Sequence, residues 1–158
     1  MAREYGRAPS GERVHDARPV NYGENLTILG AVTQEGFTAV MTIPGATTGE
    51  VFVAYVERVL APTLAPGQVV VMDNLSAHKV AGVREAIEAK GAELLYLPPY
   101  SPEFNPIEKA WSKLKSILRD VGARSLESLY EAIRDALPRI TPDNCRAWYR
   151  CCGYPTST

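Results

Sequence analysis

Apolar residues recur along this chain with two periods, and the change between them predicts its elements. Residues 26–33 (LTILGAVT) are mostly apolar, as in a buried strand. Gln34, Glu35 and Gly36 signal a turn. Over 37–43, Phe37, Ala39, Met41 and Ile43 alternate with Thr38, Val40 and Thr42. That pattern predicts a hairpin partner with one half-buried face. Pro44 and Gly45 break the strand, and Thr47 or Thr48 can cap a helix over 49–60. Within it Val51, Phe52, Tyr55, Val56, Val59 and Leu60 fall at helical spacing. Pro62, Pro66 and Gly67 end it.

Residues 68–72 (QVVVM) form a short, continuous apolar run, the pattern of a strand covered on both faces, and end in Asp73 and Asn74. A helix is predicted over 79–90, with Val80, Val83, Ala86 and Ile87 on one side and Gly91 as its stop. Residues 93–97 (ELLYL) read as another buried strand, so this series implies a parallel βαβ unit with a right-handed crossover. After a rigid proline loop (98–102), a helix is predicted over 105–120. Asn105 suits its N-cap, Pro106 N1 and Glu108 N3. Ile107, Trp111, Leu114 and Leu118 form its apolar stripe. Residues 125–137 and 142–149 read as further helices. Residues 1–25 show no sustained period and read as loop, and the tail from Gly153 is expected to fray. The whole reads as one α/β domain over 1–158, with an irregular segment (1–25), the sheet and its following helix (26–120) and C-terminal helices (121–158).

Composition narrows the class. Apolar residues are 46% and charged residues 22%, which excludes intrinsic disorder. No eighteen-residue apolar run exists and the first twenty residues lack an apolar core, so neither a membrane span nor a signal peptide is predicted. With 17 basic and 18 acidic residues, binding to nucleic acid must come from a local patch. The clearest is 105–124, with five basic and two acidic residues. There Lys109, Lys113, Lys115 and Arg119 follow Glu108, either as a solvated helix face or as phosphate contacts, and Lys79 is a weaker candidate. Cys145, Cys151 and Cys152 cluster near the C-terminus, an odd count that suits no disulfide framework and fits a reduced, cytoplasmic chain.

The chemistry centres on two carboxylates. Open α/β sheets bind ligands beyond the C-terminal ends of parallel strands, where Asp73 falls. Asp73 either turns the chain into the next helix or ligates a metal. Glu108 either reaches back to the Asn105 amide as a capping box or faces a metal shared with Asp73. Hard cations such as Mg²⁺ prefer such oxygens. His78, five positions after Asp73, reads as a capping or packing residue, or as one that orients a phosphate or carboxylate. Tyr100 reads as a packing residue, with base stacking as its alternative. Trp111 and Trp148 read as core. No glycine-rich phosphate loop follows any strand, which argues against a nucleotide-binding enzyme.

Two segments carry a resemblance. VVVMDNLSAHKV and LLYLPPYSPEFNPIEKAWSKLK closely resemble the catalytic region of bacterial insertion-sequence DDE transposases of the mariner-like superfamily. The upstream YGRAPSGERV and the final CCGY look similar too, so the likeness covers nearly the whole chain. It implies a ribonuclease-H-like mixed sheet flanked by helices. It implies hydrolysis and strand transfer at DNA phosphodiesters, with Mg²⁺ or Mn²⁺ held by Asp73 and Glu108 as second and third catalytic carboxylates. Transposon ends and target DNA are the implied partners, with self-association.

The sequence departs from the family's pattern in one respect. The first catalytic Asp, on the first strand, would fall before Met1, and Asp16 lies in a loop. The family's helix-turn-helix DNA-reading domain is likewise not expected within residues 1–158. The resemblance therefore predicts a domain without its first, central strand, between 26–33 and 68–72. Such a chain is expected to be marginally stable, to aggregate by edge pairing, or to be completed by an upstream-encoded half. It is expected to be inactive alone. The alternative is a non-catalytic remnant that binds DNA or a full-length transposase.

Overall fold

A computed structural model describes residues 9–11 and 25–156. The loop predicted over 1–25, Asp16 and the YGRAPSGERV segment lie almost entirely outside the described residues.

The predicted hairpin forms from β1 (Leu26–Thr33) and β2 (Gly36–Pro44), paired antiparallel. Its register shifts between Leu29, opposite Met41, and Ala31, opposite Thr38, so β2 carries one extra residue. Ala39 sits at this bulge with φ +50°. A bulge inverts the side-chain alternation. Phe37 therefore packs against one apolar cluster, while Ala39 and Met41 pack against another. This corrects the expectation of a single half-buried face: the hairpin is packed on both sides. Leu29 and Ala31 of β1 face the first cluster, and Ile28 and Val32 the second.

The first cluster belongs to the βαβ unit. Thr48 caps α1 (Gly49–Tyr55), its side chain accepting from the Val51 amide at 3.3 Å, and the helical path continues through Thr63. β3 (Val69–Met72) then pairs in parallel with β4 (Glu93–Tyr96), as the strand, helix, strand pattern predicts. Phe52, Val56, Val83, Ile87 and Leu94 fill the space between. Removing the Ile87 side chain down to Ala would cost about 2–5 kcal/mol there.

The connecting helix is shorter than its periodicity predicts. α2 spans Val83–Glu88, whereas Val80 is extended and Gly82 is left-handed at φ +100°. Packing on α1 explains this. Val80 lies so close to Gly49 that a Cβ there would meet it at 2.6 Å, and Gly82 sits against Val53. The Gly82 amide donates to Glu85 Oε2 at 2.8 Å, which starts the helix.

The second cluster joins α3 (Pro106–Val121), α4 (Leu126–Ala136) and α5 (Pro142–Cys151). Ser125 and Thr141 cap the last two, as Ser and Thr do when their oxygens accept an amide of the first turn. Lys113 Nζ ties α3 to the last pair, donating to Arg139 O at 2.9 Å and to Asn144 Oδ1. The tail is docked, not frayed: Tyr154 donates its hydroxyl to Phe104 O at 2.9 Å, and Gln34 Nε2 donates to Pro155 O at 3.1 Å.

Among the described residues, β1–β2 and β3–β4 are two separate two-stranded sheets. No pairing joins β1 to β3 among the described residues.

Candidate functional site

Asp73 follows the last residue of β3. The end of that strand is fixed by two bonds: Leu97 N donates to Met72 O at 2.8 Å, and Asn74 Nδ2 donates to Leu97 O at 3.1 Å. Asp73 Oδ1 accepts from Leu75 N at 3.1 Å, an Asx turn that fixes the carboxylate against its own backbone. The turning role read from the sequence is thus real. It uses only Oδ1, and Oδ2 has no partner among the described residues.

His78 Nδ1 lies 2.6 Å from the same Oδ1, close but not aligned as a hydrogen bond. Its ring packs on Phe52 at 4.3 Å between centroids, and its carbonyl accepts from the Tyr96 hydroxyl at 2.7 Å. The packing role read for His78 is the one its ring takes, with Nδ1 beside the Asp73 carboxylate. The contribution of Tyr96 has no sequence signal.

Glu108 occupies the first turn of α3, where the helix dipole favours negative charge. The capping box expected from its spacing does not form. The Asn105 amide donates instead to Pro102 O at 3.0 Å, and Asn105 makes no side-chain cap bond. The proline loop has taken the donor that Glu108 would need. Glu108 is exposed, with no partner among the described residues.

The two carboxylates, remote in sequence, line one cleft of about 450 Å³ together with Asn74, Lys79 and Tyr100. Tyr100 is fully exposed, with φ +57°, so the packing role expected for it is wrong. No third His, Cys, Asp or Glu among the described residues joins a cluster that could hold a metal ion by itself. The donor set is nevertheless one of hard oxygens with free lone pairs, which suits Mg²⁺ or Mn²⁺ and not a soft ion.

The basic residues separate. Lys79 borders the cleft, its amine 5.7 Å from the Tyr96 ring centroid. At about 100° per residue, Lys115 and Arg119 return to within about 20° of Glu108, whereas Lys109 and Lys113 lie about 100–140° away. Lys115 and Arg119 are exposed and unpartnered among the described residues. Lys113 is engaged with α5, as above. Lys109 faces Cys152, whose thiol is pushed up by burial and partly drawn back by that amine. All three cysteines are unpaired. No helix among the described residues is long and apolar enough to cross a membrane.

Comparison with known proteins gives the family and the fold. The DDE superfamily endonuclease family matches residues 1–130. The Tcb1 transposase of a transposable element from Caenorhabditis briggsae is 26% identical over 149 residues, covering 85% of this chain and 55% of that protein. A crystal structure of the Mos1 strand transfer complex superposes with a TM-score of 0.68 at 16% identity, covering 99% of this chain and 51% of that one. A Mos1 mariner paired-end complex with Mn gives 0.59 at 17% identity, covering 96% and 50%. These likenesses establish a ribonuclease-H-like α/β fold. The chain spans about half the length of the relatives it matches.

Proposed function

The chain belongs to the DDE superfamily endonucleases, a family of transposase catalytic domains, and from that premise we propose that Asp73 and Glu108 are its catalytic carboxylates in DNA transposition. One observation carries the reading: two acidic side chains from separate elements line one cleft, each with an oxygen that no described residue uses. Asp73 and Glu108 would hold Mg²⁺ or Mn²⁺. When bound, such ions activate the attacking oxygen and stabilise the leaving one in phosphoryl transfer.

The chain's own residues do the rest. The Asx turn and His78 set the Asp73 carboxylate, and the proline loop leaves Glu108 free. Lys79, Lys115 and Arg119 hold phosphates of transposon-end or target DNA without reading sequence. Lys109 and Lys113 belong to the same helix but to a flank that faces α5. Self-association on paired DNA ends fits this reading.

On this proposal the pair needs a third acid, which no described residue adds to it, and the two carboxylates alone do not cleave DNA. An upstream-encoded half is one candidate to supply it. That same shortfall is the observation that favours the second reading, a remnant that binds DNA or a full-length transposase without chemistry.

A nicking assay on plasmid bearing the element's terminal repeats, with Mg²⁺, tests the proposal. The chain alone should leave the plasmid intact. Adding the upstream-encoded polypeptide should produce nicks that Asp73→Asn and Glu108→Gln each abolish. Nicking that survives both substitutions contradicts the catalytic assignment, and intact plasmid in every arm favours the remnant.

A further inference from the structure

Two residues of the C-terminal CCGY segment meet the start of α3. Burial pushes the Cys152 thiol up, and the amine of Lys109, the residue after Glu108, partly draws it back, so the two groups are neighbours. Gly153 then turns the chain at φ +87°, in open space, a conformation that glycine adopts without steric cost. The turn brings Tyr154 back over the helix end. Its amide donates to Tyr149 O at 2.9 Å, its ring stands edge-on to Tyr149 at 5.7 Å between centroids, and its hydroxyl donates to Phe104 O at 2.9 Å.

Phe104 ends the proline loop that leads into Glu108. Pro98, Pro99 and Pro102 stiffen this loop by fixing φ. Packing does not hold it, because residues 98–100 and 102–104 are exposed. Its start is fixed at Leu97, which is bonded to both Met72 and Asn74. Beyond Leu97 its bonds are local: Ser101 Oγ to Pro99 O, Phe104 N to Ser101 O and Asn105 N to Pro102 O. Among the described residues, the Tyr154 bond is the one hydrogen bond that ties 98–104 to a distant part of the chain. An exposed hydrogen bond adds little net stability, because water competes for both partners. Its consequence lies in where it holds the loop end, one residue before Asn105, which makes no side-chain cap bond of its own.

We propose that Tyr154 is a positioning residue for Glu108. Its hydroxyl anchors the far end of the stiff loop and so sets where the first turn of α3 presents that carboxylate to the cleft. Tyr154 acts through Phe104 and the helix, not on an ion. The proposal deepens the functional reading above and rests on Glu108 as a metal-holding carboxylate.

Amide exchange of the full chain without metal, and titration with Mn²⁺, test the two parts separately. Tyr154→Phe removes only the hydroxyl. It should speed exchange of the Asn105 and Glu108 amides, which donate to Pro102 O and Asn105 O, by about threefold or more. The first-turn amides of Leu129 in α4 and Cys145 in α5 should keep their rates. Mn²⁺ affinity should fall several-fold. In a Glu108→Gln background the same substitution should cost nothing further, because it acts through that carboxylate. Tyr149→Phe, which loses a hydroxyl bonded to Val32 O instead, should leave Mn²⁺ affinity unchanged. Unaltered exchange at Asn105 and Glu108 overturns the proposal, as does a loss of affinity that persists undiminished beside Glu108→Gln. Faster exchange with unchanged affinity, in a chain whose affinity depends on Glu108, also overturns it and leaves Tyr154 a structural tie. If Glu108→Gln itself leaves the affinity unchanged, the carboxylate assignment fails, and the exchange rates alone uphold or overturn the anchoring of the loop by Tyr154.

Discussion

Asn74 Nδ2 donates to Leu97 O at 3.1 Å, so the residue after Asp73 fastens the end of β3 to the end of β4. This bond fixes where the Asp73 carboxylate emerges. Asn74→Leu removes the donor and leaves a part-buried carbonyl unpaired. It should cost about 1–2 kcal/mol in urea unfolding and weaken Mn²⁺ binding several-fold. Unchanged stability and metal affinity would show that the bond positions nothing.

The lysines of α3 divide into two roles, and substitution should separate them. Lys113→Met loses both bonds to the α5 side. It should cost about 1–3 kcal/mol of stability and leave the salt dependence of DNA binding intact. Lys115→Ala and Arg119→Ala should leave stability within about 0.5 kcal/mol. Each should lower DNA affinity and reduce the slope of log K against log salt by about one. Filter binding across a salt series decides, and the reverse pattern would move the DNA surface to the other flank of the helix.

Stability should fall on the alkaline side. Burial pushes the Tyr149 phenol up to about 12, with Cys145 and Tyr154 adding to the shift. The unfolded chain ionises this group near pH 10. The contribution is therefore complete below pH 10 and is lost between about pH 10 and 12. Tyr149→Phe should cost about 1 kcal/mol at neutral pH, because Val32 O loses its donor at 2.7 Å. It should also flatten the decline above pH 10. Parallel wild-type and variant curves would contradict the assignment.

Tyr100 carries a left-handed backbone and touches nothing that fixes it. A left-handed residue costs about 1–2 kcal/mol, a cost that glycine avoids. Tyr100→Gly should therefore not destabilise the chain in urea, despite the flexibility it adds. If the ring stacks on a base, the same substitution should weaken single-stranded DNA binding by about 1–3 kcal/mol. A clear loss of stability would mean that the ring packs after all.

What the sequence conveyed depended on how local the signal was. The strand 26–33, a threonine cap for α1 and the extents of α3 to α5 follow from neighbouring residues, and the structure places the strand as read, the cap at Thr48 and the helix ends within two residues of the reading. The Ala39 bulge did not show, because nothing in FTAVMTI marks an alanine for positive φ. The alternation there put Phe37 and Ala39 on one face, whereas the bulge sends them to opposite clusters. The late start of α2 depends on Gly49 and Val53 of another helix, and the missing capping box on Pro102, so neither was legible in the local pattern. Asp73 and Glu108 stood out as candidates through their neighbours, Asn74 and the NPIE segment. That they line one cleft is a tertiary fact.

The central claim is that Asp73 and Glu108 share one divalent cation. Electron paramagnetic resonance titration of the purified chain with Mn²⁺ tests it most directly. One weak site should appear in the wild type, and Asp73→Asn and Glu108→Gln should each weaken it by about tenfold or more, the double variant adding little to either single one. Wild-type affinity in both single variants, or independent additive losses, would contradict a shared ion.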